Sequence, residues 1–369
     1  MNEWITQLDV AAGDGPRLAV KDAIDVAGVP TTVGCKGIAD RATPADHDAP
    51  CVATARAAGA RIVGKANRHE LCFGTTGLNP TFGNPVNPRW PDLVPGGSSS
   101  GSAVAIVLDE ADVAYGTDTG GSVRLPAACC GIAGLKTTHG RISIGGIWPL
   151  APSLDTVGPL ARDVAGLVLG MQLLEPGFSL EGVVAAHVIG RLATPFDVDP
   201  TMWAAVDAAL GVTGIAVENV ALPGWDVDAH AFGSVIGYEA WKSDSDVMSI
   251  PGGVHDYVGD RLRGCALITR DAYDEARVRQ AAWIEEVDAM LARVPVLALP
   301  TLAAPPVPVD APFLANPMTH PFNTALTPAI SLPVGTRPGE SIQLVAARGG
   351  EELLLATAAL IEKAVDLRW

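Results

Sequence analysis

The chain has 369 residues, 48% of them hydrophobic, with 41 acidic against 25 basic side chains for a formal net charge of −16. That length and apolar content support a large buried core, while the negative balance repels a polyanionic partner, so a nucleic-acid binder is not expected. The longest apolar runs, such as Ala103 to Leu108 and Val294 to Leu299, fall far short of the roughly 20 residues of a membrane helix, and the opening MNEWITQLDV lacks the basic start and apolar run of an export signal. Six cysteines, at positions 35, 51, 72, 129, 130 and 265, form no CxxC pair and read as reduced and mostly buried. A soluble, cytoplasmic protein is the expectation.

In chain order, Leu18–Val20 and Ile24–Val26 read as short strands around Lys21, closed by Gly28 and Pro30. Asp48 is placed to cap a helix through APCVATARAA, with Pro50 in its first turn and Gly59 as its stop, and ARIV beyond it reads as a strand. The stretch from Asn79 to Gly97, NPTFGNPVNPRWPDLVPGG, is too rich in Pro, Gly and Asn for regular structure. Long irregular segments in compact domains tend to be functional. A short apolar helix is expected from about Ser102 to Leu108, then a strand near Val113–Tyr115 and a helix beyond Ser122. From Val164 to Val294 the pattern is weak, with helices expected around Met202–Leu210 and Asp271–Leu291. VPVLALP, PAISLPVG and SIQLVAA read as buried strands. EELLLATAALIEKAV reads as an amphipathic closing helix with Leu353, Leu354, Thr357, Leu360, Ile361 and Ala364 on its apolar face.

Three motifs bear on chemistry. Gly59 to Ala66, GARIVGKA, follows a Walker loop until Ala66 stands where a magnesium-binding hydroxyl belongs, and its centre reads as a strand rather than a phosphate cradle. A nucleotide site there is not expected. Gly97 to Gly101, GSSSG, satisfies G-x-S-x-G with Ser99 as nucleophile, but that elbow must follow a buried strand, and Pro88, Pro91 and Pro95 deny it one. In YGTDTGGSVRLPA, Tyr115 to Ala127, Gly120 and Gly121 let backbone amides converge at a helix start beside Ser122, which are the parts of an oxyanion hole. A tight turn with a capping serine accounts for the same residues. A serine hydroxyl also needs a base. The seven histidines, at 47, 69, 139, 187, 230, 255 and 320, sit in ordinary contexts, whereas Lys21 lies between apolar strands, where desolvation favours the neutral amine.

The segments VKDAIDVAGVPTTVG, DAPCVATARAAGARIVGKANRHELCFG, GLNPTFGNPVNP, PGGSSSGSA, YGTDTGGSVRLPAACCGIAGLK and PFNTALTPAISLPVG occur in this order, and together they resemble the amidase signature family. The resemblance implies an α/β fold: one α/β/α domain over residues 1–369 with a mixed β-sheet core covered by helices on both faces, in which about 165–290 is a variable, substrate-shaping region. It implies a Ser–cis-Ser–Lys triad of Ser122 as nucleophile, Ser98 as bridging serine and Lys21 as base. The N–H groups of Thr119, Gly120, Gly121 and Ser122 would form the oxyanion hole, Asp118 and Arg124 would brace the loop, and Cys72, Phe73 and Ser99 would face the substrate.

The activity so implied is hydrolysis of a carboxylic amide C–N bond through a serine acyl-enzyme, releasing a carboxylic acid and ammonia or an amine. It requires no metal and no cofactor, and its partner is a small-molecule amide, with neither nucleic acid nor membrane. Oligomeric state does not carry over, and a homodimer stays open. Two alternatives stand beside this reading: the amidase subunit of an aminoacyl-tRNA amidotransferase, and an α/β-hydrolase-type esterase that uses Ser99 with His320. The chain departs from the family's habit in three places. Only twenty residues precede Lys21, Ser100 stands where glycine is common, and KTTHGRIS replaces a usual Lys-Pro at Lys136–Thr137.

Overall fold

The structure is a computed structural model and describes residues 2–8, 13–311, 313–315 and 317–366. Its strands are β1 (Trp4–Gln7), β2 (Arg17–Lys21), β3 (Arg61–Ala66), β4 (Val113–Asp118), β5 (Ala133–Lys136), β6 (Thr156–Ala161), β7 (Val188–Ala193), β8 (Ala216–Ala221), β9 (Val296–Pro300), β10 (Ala329–Pro333) and β11 (Ser341–Ala346). They form one sheet in the order β1-β3-β2-β4-β6-β5-β10-β11-β9-β7-β8. β2 runs parallel to β3 and β4, and β7 runs parallel to β8 and β9, while the remaining pairs are antiparallel.

Alternation along each strand sorts the core into two layers. Leu18 and Val20 of β2 and Val296 and Ala298 of β9 pack with helices Pro50–Ala57, Val164–Leu174, Pro200–Gly211 and Glu351–Val365. Their neighbours point the other way. Ala19 meets helices Ser100–Val107 and Arg124–Cys130, while Leu297 and Leu299 meet Trp225 and the helix Arg270–Arg293. The result is a mixed sheet with helices on both faces, as expected. Among the described residues no helix is long and apolar enough to cross a membrane.

Several local expectations shift. Ile24–Val26 is not a strand; Ile24 and Val26 make single bridges to Ile147 and Val29, because the chain turns back at Gly28. The helix Pro50–Ala57 does carry Pro50 in its first turn, and Gly59 follows it at φ +91°. Asp48 does not cap it. That carboxylate instead accepts the Ala27 N–H at 2.8 Å and pairs with Arg56 at 2.8 Å, leaving Ala49 at the cap. On the closing helix the buried apolar residues are Leu354, Leu355, Ala358 and Ile361, with Thr357, while Leu360 is exposed. The 79–97 segment contains neither helix nor strand and is organised by Asn79, whose amide donates to Gly34 O and Arg68 O at 2.9 Å each.

Candidate active site

β2 and β4 end side by side, and ligands of sheets with parallel strands collect beyond such carboxyl ends. There Lys21, the last residue of β2, donates from Nζ to Thr117 Oγ1 at 2.7 Å and to Ser98 Oγ at 2.8 Å. The Gly97–Ser98 peptide bond is cis, and helix Ser100–Val107 follows. A side chain at position 97 would drive its Cβ to 2.6 Å from Gly77 N, so the backbone approach that places Ser98 requires glycine. Ser122 lies just before helix Arg124–Cys130, and its carbonyl accepts the Ser99 N–H at 3.2 Å, which ties the two serine segments together.

The loop carrying Ser122 is held by a buried ion pair. Asp118 accepts from Arg124 Nε and Nη2 at 3.0 Å each and from Asn323 Nδ2 at 2.8 Å. Arg124 also reaches Gln343 Oε1 and Asn323 Oδ1 at 2.6 Å each, so β11 and the helix His320–Thr324 are bolted to the loop. Burial alone would raise the Asp118 carboxyl, but the Arg124 charge and its hydrogen bonds outweigh burial and hold it well below the usual carboxylate range. Arg124→Met is expected to cost about 3–5 kcal/mol of unfolding free energy, because it leaves that carboxylate buried and unpaired. A urea midpoint matching wild type would refute the assignment.

The same carboxylate corrects one expectation. Asp118 Oδ1 accepts the Gly121 N–H at 2.7 Å, so this amide shapes the loop and is not open to an oxyanion. Gly121 has φ +127°, and a Cβ there would sit 2.3 Å from Thr319 Oγ1. Glycine is demanded here by fit as well as by conformation.

Burial drives the Lys21 ammonium down from 10.5 to about 8, with the Arg68 charge pushing the same way against the raising influence of Cys72 and Asp118. In front of Ser122 opens a cavity of about 310 Å³, walled by Cys72, Phe73, Phe232, Ile236, Arg261 and Cys265 among others. Cys72 and Phe73, which the resemblance set facing the substrate, both line this cavity. Ser99 does not line that cavity; it is fully buried, with Oγ donating to Thr117 O at 3.3 Å. No strand precedes it, so the elbow geometry is missing as well. His320 stacks on Phe232, with 4.7 Å between ring centroids. A larger groove of about 600 Å³, between Asp25, Arg41 and Trp148, is lined by none of Lys21, Ser98 and Ser122.

Sequence reasoning assigned no role to Thr117, although it lies inside the quoted GTDTGGS run. It also missed Asn323, within PFNTALTP, whose single amide engages both members of the Asp118–Arg124 pair. Phe232, Ile236 and Arg261 come from the weakly patterned middle of the chain and had no signal at all. The departures from family habit at positions 100 and 137 are satisfied locally. Ser100 Oγ donates to Gly77 O at 2.7 Å, and Thr137 Oγ1 donates to Val157 O at 2.7 Å.

The family model described as Amidase matches residues 15–176. The chain is 33% identical over 423 aligned positions to a Glutamyl-tRNA(Gln) amidotransferase subunit of Halobacterium salinarum, covering 98% of this chain and 100% of that one. Amidase 1 of Oryza sativa subsp. japonica is 44% identical over 162 residues, which cover 44% of this chain and 37% of that protein. A crystal structure of an amidase superposes with a TM-score of 0.86 at 30% identity, over 94% of this chain and 84% of that one. A 6-aminohexanoate cyclic dimer hydrolase gives 0.84 at 26% identity, over 95% and 85%. Full-length likeness in sequence and in sheet architecture leads to one conclusion: the chain belongs to the amidase family and is a hydrolase of carboxylic amide C–N bonds.

Proposed function

We propose that amide hydrolysis here runs through Lys21, Ser98 and Ser122 as a proton relay to a serine acyl-enzyme. The observation that carries this reading is the 2.8 Å contact from a desolvated Lys21 amine to Ser98 Oγ, in a site that opens on Ser122. Neutral Lys21 takes the Ser98 proton as Ser98 takes that of Ser122, and Ser122 Oγ attacks the amide carbonyl. The N–H groups of Thr119, Gly120 and Ser122 form the oxyanion hole for the tetrahedral intermediate. Ser98 returns a proton to the departing amine, and water enters by the same relay to release the acid. No step uses a metal or an organic cofactor.

The chain reads as one amidase-signature domain over residues 1–369, with about 165–290 as its substrate-shaping region; the supporting fact is that Phe232, Ile236, Arg261 and Cys265 line the cavity. Its six free thiols suit a reducing compartment, which favours the cytoplasm. The substrate is a small-molecule amide whose acyl group fits about 310 Å³. The full-length likeness to an amidotransferase component favours a second reading, in which the same site releases ammonia for a partner protein.

The test is a panel of small aliphatic amides, aromatic amides and glutamine, assayed for ammonia or amine release with and without EDTA. Release from at least one class, unchanged by the chelator, is the expected result. Silence across the panel, or full loss in EDTA restored by zinc, would overturn the relay.

A further inference from the structure

Cys72 lies on the wall of the catalytic cavity, yet the relay does not use it. It sits in a short turn beyond β3 where Leu71 and Cys72 both adopt left-handed backbone, at φ 52° and 57°, an unfavourable conformation for side chains of this kind. The turn fixes where the sulfur stands. Its Sγ is 3.6 Å from Thr117 Oγ1, which accepts from Lys21 Nζ at 2.7 Å, so a single hydroxyl separates thiol from amine.

A second cation acts on the same place. Arg68 is fully buried, and both terminal nitrogens of its guanidinium lack a hydrogen-bond partner among the described residues; Nε alone is engaged, with His69 O at 3.1 Å. Burial pushes the Cys72 thiol up, but the Arg68 charge, the Lys21 charge and the Thr117 hydrogen bond outweigh it and leave the thiol below its ordinary value. The other thiols move oppositely, with burial raising Cys35, Cys51, Cys129, Cys130 and Cys265. Cys265 supplies the contrast, because it lines the same cavity and is the more exposed of the two.

We propose that Cys72 is a covalent modification site: small uncharged electrophiles that enter the acyl cavity are captured by its sulfur, and the adduct stops the enzyme. With iodoacetamide as the probe, the sulfur lone pair forms the new C–S bond, the C–I bond breaks and iodide leaves. The thiol proton passes through Thr117 to the Lys21 amine. The adduct thus occupies the space in front of Ser122, and Lys21 passes the proton on to solvent. Loss of activity rests on the amidase reading; capture of the electrophile does not.

The experiment treats native protein with limiting iodoacetamide at neutral pH and ranks labelled cysteines by peptide mass spectrometry, with amide turnover followed in parallel. In wild type and in Ser122→Ala, Cys72 is expected to label at least about tenfold faster than Cys265, because thiolate fraction outweighs exposure. Wild-type turnover should fall in step with the Cys72 label. Cys72→Ala, whatever its untreated rate, should keep that rate after treatment, and Thr117→Val should slow labelling at Cys72 severalfold. Equal labelling of the two thiols, labelling of Cys265 first, or wild-type inactivation of Cys72→Ala would overturn the proposal. If Cys72 labels first in a protein that turns over no amide, the modification site stands and the catalytic reading falls.

Discussion

Ser122→Ala is expected to lose roughly 10⁴-fold or more in kcat while melting close to wild type. The substitution removes the attacking oxygen and almost no volume. The Ser122 hydroxyl makes no hydrogen bond to another side chain or to the backbone among the described residues, and the carbonyl that receives Ser99 N–H is untouched. Ser99→Ala is the control. It forfeits one buried bond to Thr117 O, worth about 1 kcal/mol, but no reacting atom, so measurable turnover should remain. The pair is read by steady-state kinetics on one amide together with thermal melts. A reversed order of effects would hand the nucleophile to Ser99.

Lys21 governs the second large effect. Only the neutral amine can accept a proton, and with the ammonium brought down to about 8, roughly a tenth of it is neutral at pH 7. kcat/KM should therefore climb about tenfold per pH unit on the acid side and level off above about 8, with a single group controlling the limb. Lys21→Ala should abolish the limb together with most of the rate. Lys21→Arg should not rescue, since guanidinium keeps its proton, and His320→Ala should leave the limb in place. Near-normal activity in Lys21→Arg, or a lost limb in His320→Ala, would place the base elsewhere. Folding responds with the matching sign. Between about 8 and 10.5 the unfolded lysine holds a proton that the folded one has released, so this group makes stability rise with pH across that window.

The site was legible where its chemistry is local. Glycine at 97 and 121, proline at 126 and the alternation of β2 and β4 are conditions on neighbouring residues, and the chain displays them openly. Lys21 and Ser98, however, meet across 77 positions, and no periodicity brings them together; the family resemblance did. The middle of the chain failed for a different reason. β8 is an edge strand with only Val220 buried, so it shows no clean alternation, and Gly237 lies within the helix Trp225–Asp244 against Ile268 and Cys265. Strands and helices of that kind carry little of the binary pattern that sequence reading depends on. The cavity wall is drawn from this part, which is why Phe232, Ile236 and Arg261 were invisible while Lys21, Ser98 and Ser122 were not.

β10 and β11, the final strands of the chain, occupy the middle of the sheet, between β5 and β9. Without residues 329–346 nothing joins the β1-to-β5 half to the β9-β7-β8 group, and β5 and β9 would each be left as a raw edge. Unpaired edges of that kind template pairing with other chains. A message that stops before residue 341 should consequently yield an aggregating polypeptide that demands chaperones, rather than a weaker enzyme.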